Sequence, residues 1–544
     1  MVKSLLRTAA LAAIALLSFG LAPTAQAAVD GQWVLTLPGA GALLLELKSD
    51  GGRLTGSATG PNGKLEIANG SIAGNAISFE TVVTLNRGAG TVSLLYTGEI
   101  EGDEIHLTVG TRGPGPKLQA TAKRRDPNAP PPDWFSEAPA PEEVVAWLKT
   151  NAIRLETVEP GSAFADMAPL KARLKDARVV AMGEATHGTR EFSQFKHRMF
   201  QFLVEELGFT VIGVEGNWPE SLKVNEYVLD GKGDPREALA GIYFSMWQTE
   251  EVLEMVRWMR QYNQDAAHTR KLKFYGFDMQ APRVAEANVL EYLRRVDPES
   301  RETAAKTFAV LGEWAANDVY EHGPAEIKRG VAESLAAILR RFDERKQEYI
   351  ARSSLGEWTM VRQNMVIVKQ AEVKLADQTG HFRDQAMAEN VKWILDQEEP
   401  GTKIMLWAHN GHIAGDAQGY GPMGEHLREI FGGQAVLCGF VFQQGGFRAG
   451  DIDGDALRDF TVGPPPQGSL GATFAAIGAP LFAIDLRHLP GGKVADWFDA
   501  PHITWHIGGG YTATTPGAWF LPIRAARAFD MLIFVAKTTP SRPL

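Results

Sequence analysis

"VVAMGEATHGTREF", residues 179–192, is the stretch on which the fold turns. Four apolar residues run without alternation into Gly183 and Glu184, and His187 follows with Gly188 behind it. A helical pattern then begins, with Phe192, Phe195, Met199 and Phe202 three or four residues apart. A strand that is apolar on both faces needs cover on both faces, which is the condition of a parallel sheet between helices. The residues that follow such a strand emerge at the carboxyl edge of the sheet, where open α/β sheets bind their ligands. A carboxylate and an imidazole placed there are candidate chemistry.

The neighbouring segments repeat the arrangement. "FTVIGVEGN" (209–217) ends in Glu215 and Asn217, and "KLKFYGFDMQ" (271–280) carries Asp278 near its end. "KIMLWAHNGH" (403–412) ends in His409, Asn410 and His412, and "PLFAIDLRH" (480–488) carries Asp485. "QAVLCGFVF" (434–442) and "FDMLIFVA" (529–536) add two more buried strands. Residues 281–398 are helical by pattern, broken at "EHGP" and "DQTGHF", and form an insertion between the third and fourth strands. The expected fold class is α/β: a parallel-sheet domain over 144–544 with a large helical insertion.

Towards the N-terminus the character changes. "RRDPNAPPPDWFSEAPAPEE" (124–143) is a proline-rich linker, placed at 125–143. Before it, residues 28–124 alternate polar and apolar in short segments separated by turn pairs such as Asn62-Gly63 and Asn69-Gly70. That pattern predicts a small all-β barrel or sandwich. Residues 1–27 have a basic start, an apolar run and Ala25-Gln26-Ala27, the three parts of a secretory signal peptide. The expected location is therefore outside the cytoplasm, periplasmic or secreted. No membrane insertion is expected after removal of the signal.

Composition excludes several classes. The formal charge is −10 and no Lys/Arg cluster occurs, so nucleic acid is not an expected partner. The single cysteine, Cys438, lies in an apolar run and reads as core. There is no G-x-S-x-G elbow and no glycine-rich phosphate loop after a strand. Two His and two Glu could hold Zn²⁺, but neither H-E-x-x-H nor a Cys pair is present.

The set that remains suits activation of water. His187, held by Glu184 or Glu215, is the expected general base, and His409 and His412 the expected donors to a developing oxyanion. Asn217, Asn410 and Asp278 at the same strand ends are the expected substrate contacts. His197, His268, His322, His502 and His506 read as packing, surface or structural residues.

"GEATHGTREFSQFKHRMFQFLVEELGFTVIGVEGNWPES", "FYGFDMQ", "RDQAMAENVKWIL" and "WAHNGHI" closely resemble the erythromycin esterase family, over about Leu155 to Ala536. The N-terminal barrel lies outside that similarity. The resemblance implies an α/β core and hydrolysis of a macrolide lactone by activated water, without a covalent intermediate. It assigns His187 as base, Glu184 and Glu215 as its carboxylate partners, and His409 and His412 as the second histidine pair. By the same resemblance Lys196 on the first helix is an expected substrate contact; it stands where macrolide-opening members carry arginine and lacks the planar fork, which widens the expected substrate to a carboxylic ester or lactone. The expected partner is thus a small-molecule ester or lactone, and no cofactor is expected. The alternatives are a haem- or metal-binding exported protein and a hydrolase that holds a divalent metal with the same His/Glu cluster.

Overall fold

The computed structural model describes residues 29–544 apart from 38–40, 61–62, 85–90, 112–116, 127–128, 130–137, 317–319, 321–322, 377–380, 417–420 and 455. The expected signal peptide, His322 and most of the proline-rich stretch lie outside the described residues. Among those described, no helix is long and apolar enough to cross a membrane.

Strands β1 (Gly31–Leu37) to β8 (Leu118–Arg124) form a closed antiparallel barrel, each paired with the next and β8 with β1. The alternation read from the sequence is the reason. In β1, Trp33 and Leu35 are buried inside while Gln32, Val34 and Thr36 look outward. Phe79 stacks on Tyr96 in the barrel core at 4.6 Å. Closure leaves no open strand edge.

The second region is a ten-stranded mixed sheet. Its strands are β9 (Ile153–Arg154), β10 (Val179–Met182), β11 (Val211–Asn217), β12 (Lys273–Asp278), β13 (Ile404–Trp407), β14 (Ala435–Asp451), β15 (Leu457–Val462), β16 (Leu481–Asp485), β18 (Gly510–Tyr511) and β20 (Met531–Thr538). Strands β17 (Pro501–Trp505) and β19 (Phe520–Arg524) pair separately. The main order is β12-β11-β13-β10-β14-β20-β16-β9, and β12 to β20 run parallel. Alternate residues of β10 feed two cores: Val179 and Ala181 pack on one face, Val180 and Met182 on the other. Strands β11, β13 and β14 divide in the same way, so apolar runs without alternation are what a sheet covered on both faces requires. Between β12 and β13 the chain is helical, from Arg283–Val296 to His381–Gln397.

Two features of this topology position the site. First, β13 lies between β10 and β11, so segments more than two hundred residues apart in sequence leave the sheet side by side. Second, β16 is antiparallel to β20 and β9, against the expectation of an all-parallel sheet. Its end, Asp485, therefore lies beside Met531 at the start of β20 and not at the carboxyl edge. There Asp485 pairs with Arg173 (2.9 Å) and Arg487 (2.7 Å). The fifth expected strand end is thus absent from the cleft.

Candidate active site

The loop after β10 carries the first pair. Nδ1 of His187 lies 2.6 Å from Oε1 of Glu184, and Oε2 of Glu184 accepts from Nε1 of Trp407 (2.7 Å) and from Nζ of Lys196. Glu184 is 1% exposed and Lys196 fully buried, with Nζ also 4.5 Å from the centre of the Trp407 ring. Burial lowers the Lys196 pKa to about 8, and Glu184 works against that shift. A carboxylate so placed accepts the hydrogen bond of Nδ1–H of His187 and fixes the tautomer with a lone pair on Nε2. Among the described residues Nε2 has no hydrogen-bond partner, and the ring lines a cavity of about 530 Å³ with Phe244, Met246, Arg448 and Ser541.

The second group closes on itself. Arg383, at the start of the helix His381–Gln397, donates from Nη2 to Glu215 Oε1 (2.8 Å) and Asp278 Oδ2 (2.7 Å). Glu215 Oε2 accepts the backbone N–H of His409 (2.9 Å), which ties β11 to the turn after β13. Nδ1 of His412 lies 2.7 Å from Asp384 Oδ1, and its Nε2 has Arg383 Nη1 at 2.9 Å and Glu215 Oε1 at 3.3 Å. Burial opposes a charge on His412, but Glu215 and Asp384 outweigh both burial and Arg383 and raise its pKa to about 9. Burial also opposes the charge on Glu215, and His412 and Arg383 hold its carboxyl well below the usual range.

Between the two groups stand two neutral imidazoles. Nδ1 of His409 accepts the N–H of Gly411 (3.1 Å), so Nε2 carries the proton and donates to the Ile507 carbonyl (3.2 Å). Burial, then His506 and His187, push its pKa well below the ordinary value. The His409 ring is 5.0 Å from that of His187 and 4.4 Å from that of His506. His506, lowered to about 4 chiefly by burial, shares with Arg383, His409 and His412 a second cavity of about 630 Å³.

Thus Glu184, His187, Glu215, His409 and His412 meet at one sheet edge. Of the four expected substrate contacts, only Asn410 reaches a cavity. Lys196 is sealed behind Glu184. Asp278 is fully buried against Arg383. Asn217 is fully buried and accepts from the Ala281 N–H (3.3 Å). Asn410 edges the second cavity, but its amide clamps both backbone groups of Phe440 (2.7 and 3.0 Å). All four position other groups. Among the described residues no three His, Cys, Asp or Glu side chains are grouped as metal ligands.

Sequence reasoning missed Arg383, Asp384, Trp407 and His506. The strand-end rule applied to "ITWH" would have flagged His506, which directly follows β17. Trp407 was hidden as the last apolar residue of β13. Arg383 and Asp384 stand at a helix start, where charged residues are ordinary.

Residues 204–538 match the erythromycin esterase family. The chain belongs to it. YbfO of Bacillus subtilis, named as a hydrolase without a stated substrate, is 25% identical over 394 residues, covering 66% of this chain and 85% of YbfO. Erythromycin esterase type II of Escherichia coli is 23% identical over 379 residues, 63% of this chain and 89% of that enzyme. In fold, the chain resembles a crystal structure of a mutant of erythromycin esterase EreC in its open conformation. The TM-score is 0.57 at 16% identity, over 72% of this chain and 98% of that one. By family this erythromycin esterase homologue is a hydrolase.

Proposed function

We propose that this family member is an exported hydrolase that cleaves a carboxylic ester or lactone with water activated by His187, without a covalent intermediate or a cofactor. One observation carries the reading: Glu184 holds Nδ1 of His187 at 2.6 Å while Nε2 stays free in a ring that lines a cavity. Nε2 takes a proton from water, and the water oxygen attacks the carbonyl carbon to give a tetrahedral oxyanion. Collapse of the tetrahedral species breaks the carbon–oxygen bond, and the alkoxide recovers the proton from His187. The products are a carboxylic acid and an alcohol. The thiol of Cys438 is no rival nucleophile, because burial pushes its pKa up and the side chain sits in the core.

The basic, apolar and Ala-x-Ala sequence of residues 1–27 supports export to the periplasm or beyond. The test is mass spectrometry of erythromycin and a panel of small esters incubated with the protein and with His187→Ala. Addition of one water with wild type, and a rate lower by about 10²–10⁴-fold in the variant, is expected. Equal rates in the two proteins would refute the role of His187. Reaction confined to the simple esters would keep the mechanism and discard the macrolide. Intact mass of the protein recovered from expressing cells checks export, and retention of residues 1–27 would count against it.

A further inference from the structure

The family match ends at residue 538, yet the segment that follows is built into the site. We propose that residues 539–544 are a strap that sets the position of His187, with the backbone N–H of Ser541 as its working contact. The inference rests on the reading of His187 as the base.

After β20 ends at Thr538 the chain turns across the loop that carries His187. Room is made for it: a Cβ on Gly446 would lie 2.6 Å from Cδ of Pro540. The strap first grips the helix Arg190–Leu207. The N–H of Arg190 donates to the Thr539 carbonyl (3.0 Å), and Thr539 donates from its N–H and its hydroxyl to the Glu191 carboxylate (2.7 and 2.6 Å). It then grips the helix Glu250–Gln264. Arg542 donates from Nε to Glu251 (2.8 Å) and from Nη2 to Glu254 (3.1 Å), and its carbonyl accepts the N–H of Glu250 (2.8 Å).

Between these anchors lies the contact that matters. The N–H of Ser541 donates to the carbonyl of Gly188 (2.9 Å), and the same carbonyl accepts the N–H of Arg448 in β14, also at 2.9 Å. Gly188 directly follows His187 and is the most permissive residue the loop could have there. It cannot be replaced, because a Cβ on it would lie 2.0 Å from the Arg448 carbonyl oxygen. Two donors on one carbonyl remove the freedom that the glycine brings, and with it the freedom of the adjoining imidazole. Ser541 is 4% exposed and borders the same cavity as His187, so its hydroxyl and its N–H can be tested apart.

Three variants decide the question: Ser541→Pro removes the N–H, Ser541→Ala only the hydroxyl, and Arg542→Ala an anchor. Each is read by kcat and KM on 4-nitrophenyl butyrate, by thermal melting, and by amide hydrogen exchange in residues 185–195. The expectation for Ser541→Pro is a kcat lower by about 10²-fold with KM little changed, and faster exchange confined to that segment. Ser541→Ala keeps the N–H and should leave amide exchange in 185–195 as in wild type, and Arg542→Ala should fall between Ser541→Pro and wild type. Wild-type kcat and exchange in Ser541→Pro would overturn the proposal. Should that variant fail to fold, Arg542→Ala decides, and unchanged exchange in 185–195 would overturn the strap. A fully active His187→Ala would instead refute the base, while the exchange data would still report whether the strap holds the loop.

Discussion

Glu184–His187 and Asp384–His412 each set a carboxylate against Nδ1 of an imidazole at nearly the same separation, 2.6 and 2.7 Å, at the same sheet edge. They are wired to opposite ends. The first pair has its extra partners, Lys196 and Trp407, on the carboxylate, and the far nitrogen of the ring is left to the cavity. In the second, Glu215 and Arg383 crowd the far nitrogen. A histidine with a bare nitrogen and a fixed tautomer can accept a proton from water. One with Asp384 on one nitrogen and Glu215 and Arg383 on the other has no free nitrogen to take that proton. The carboxylate alone does not set the role; what stands at the other nitrogen does.

The largest effect that tests this contrast is on stability, in the closed group. Arg383 is the cation between Glu215 and Asp278, both more than nine-tenths buried. Arg383→Ala leaves two carboxylates without their shared partner, and loss of one member of a buried ion pair costs about 3–5 kcal/mol. Chemical denaturation should show a loss of that size. A variant as stable as wild type would mean that the second group is not a locked network, and the contrast would fail.

A second effect depends on pH. The folded pKa of His412, about 9, stands above its ordinary 6.5, so the protonated form is favoured by folding. Its contribution to stability is complete below about 6.5 and is lost as the pH rises through about 9. The gap in melting temperature between wild type and His412→Gln should therefore narrow steadily across that window. A gap that stays constant from acid to alkaline pH would show that His412 is not held as a cation.

These contrasts were only partly legible in the sequence. The runs that became β10, β11 and β13 announced a buried sheet, and the glycine-flanked ends of those strands announced Glu184, His187 and His409. Strand direction was not announced: "LFAID" is apolar on both faces whether it runs parallel or, as β16 does, antiparallel, so Asp485 was placed at the wrong edge. Residue type at a strand end also leaves the side chain's direction open. Asn217, Asp278, Asn410 and Lys196 look alike as text to residues that meet substrate, yet each is spent on a neighbour. Arg383 and Asp384 required the strand order itself. Only the placement of β13 between β10 and β11 brings the helix His381–Gln397 to the edge where those strands end.

The smallest effect probes the open pair from behind. Trp407 Nε1 donates to Glu184 Oε2 at 2.7 Å, the oxygen that does not face His187. Hydrogen bonds to charged groups contribute about 1.5–3 kcal/mol, and Lys196 remains on the same oxygen, so the low end applies to Trp407→Phe. The substitution keeps an aromatic ring over Lys196 and against Trp247. A loss of about 1.5 kcal/mol corresponds to roughly tenfold in rate. It should fall on kcat, since Trp407 acts through Glu184 and has no place in either cavity lining. If the deficit appears in KM instead, the indole shapes the substrate site directly, and the carboxylate of the open pair is held by Lys196 alone.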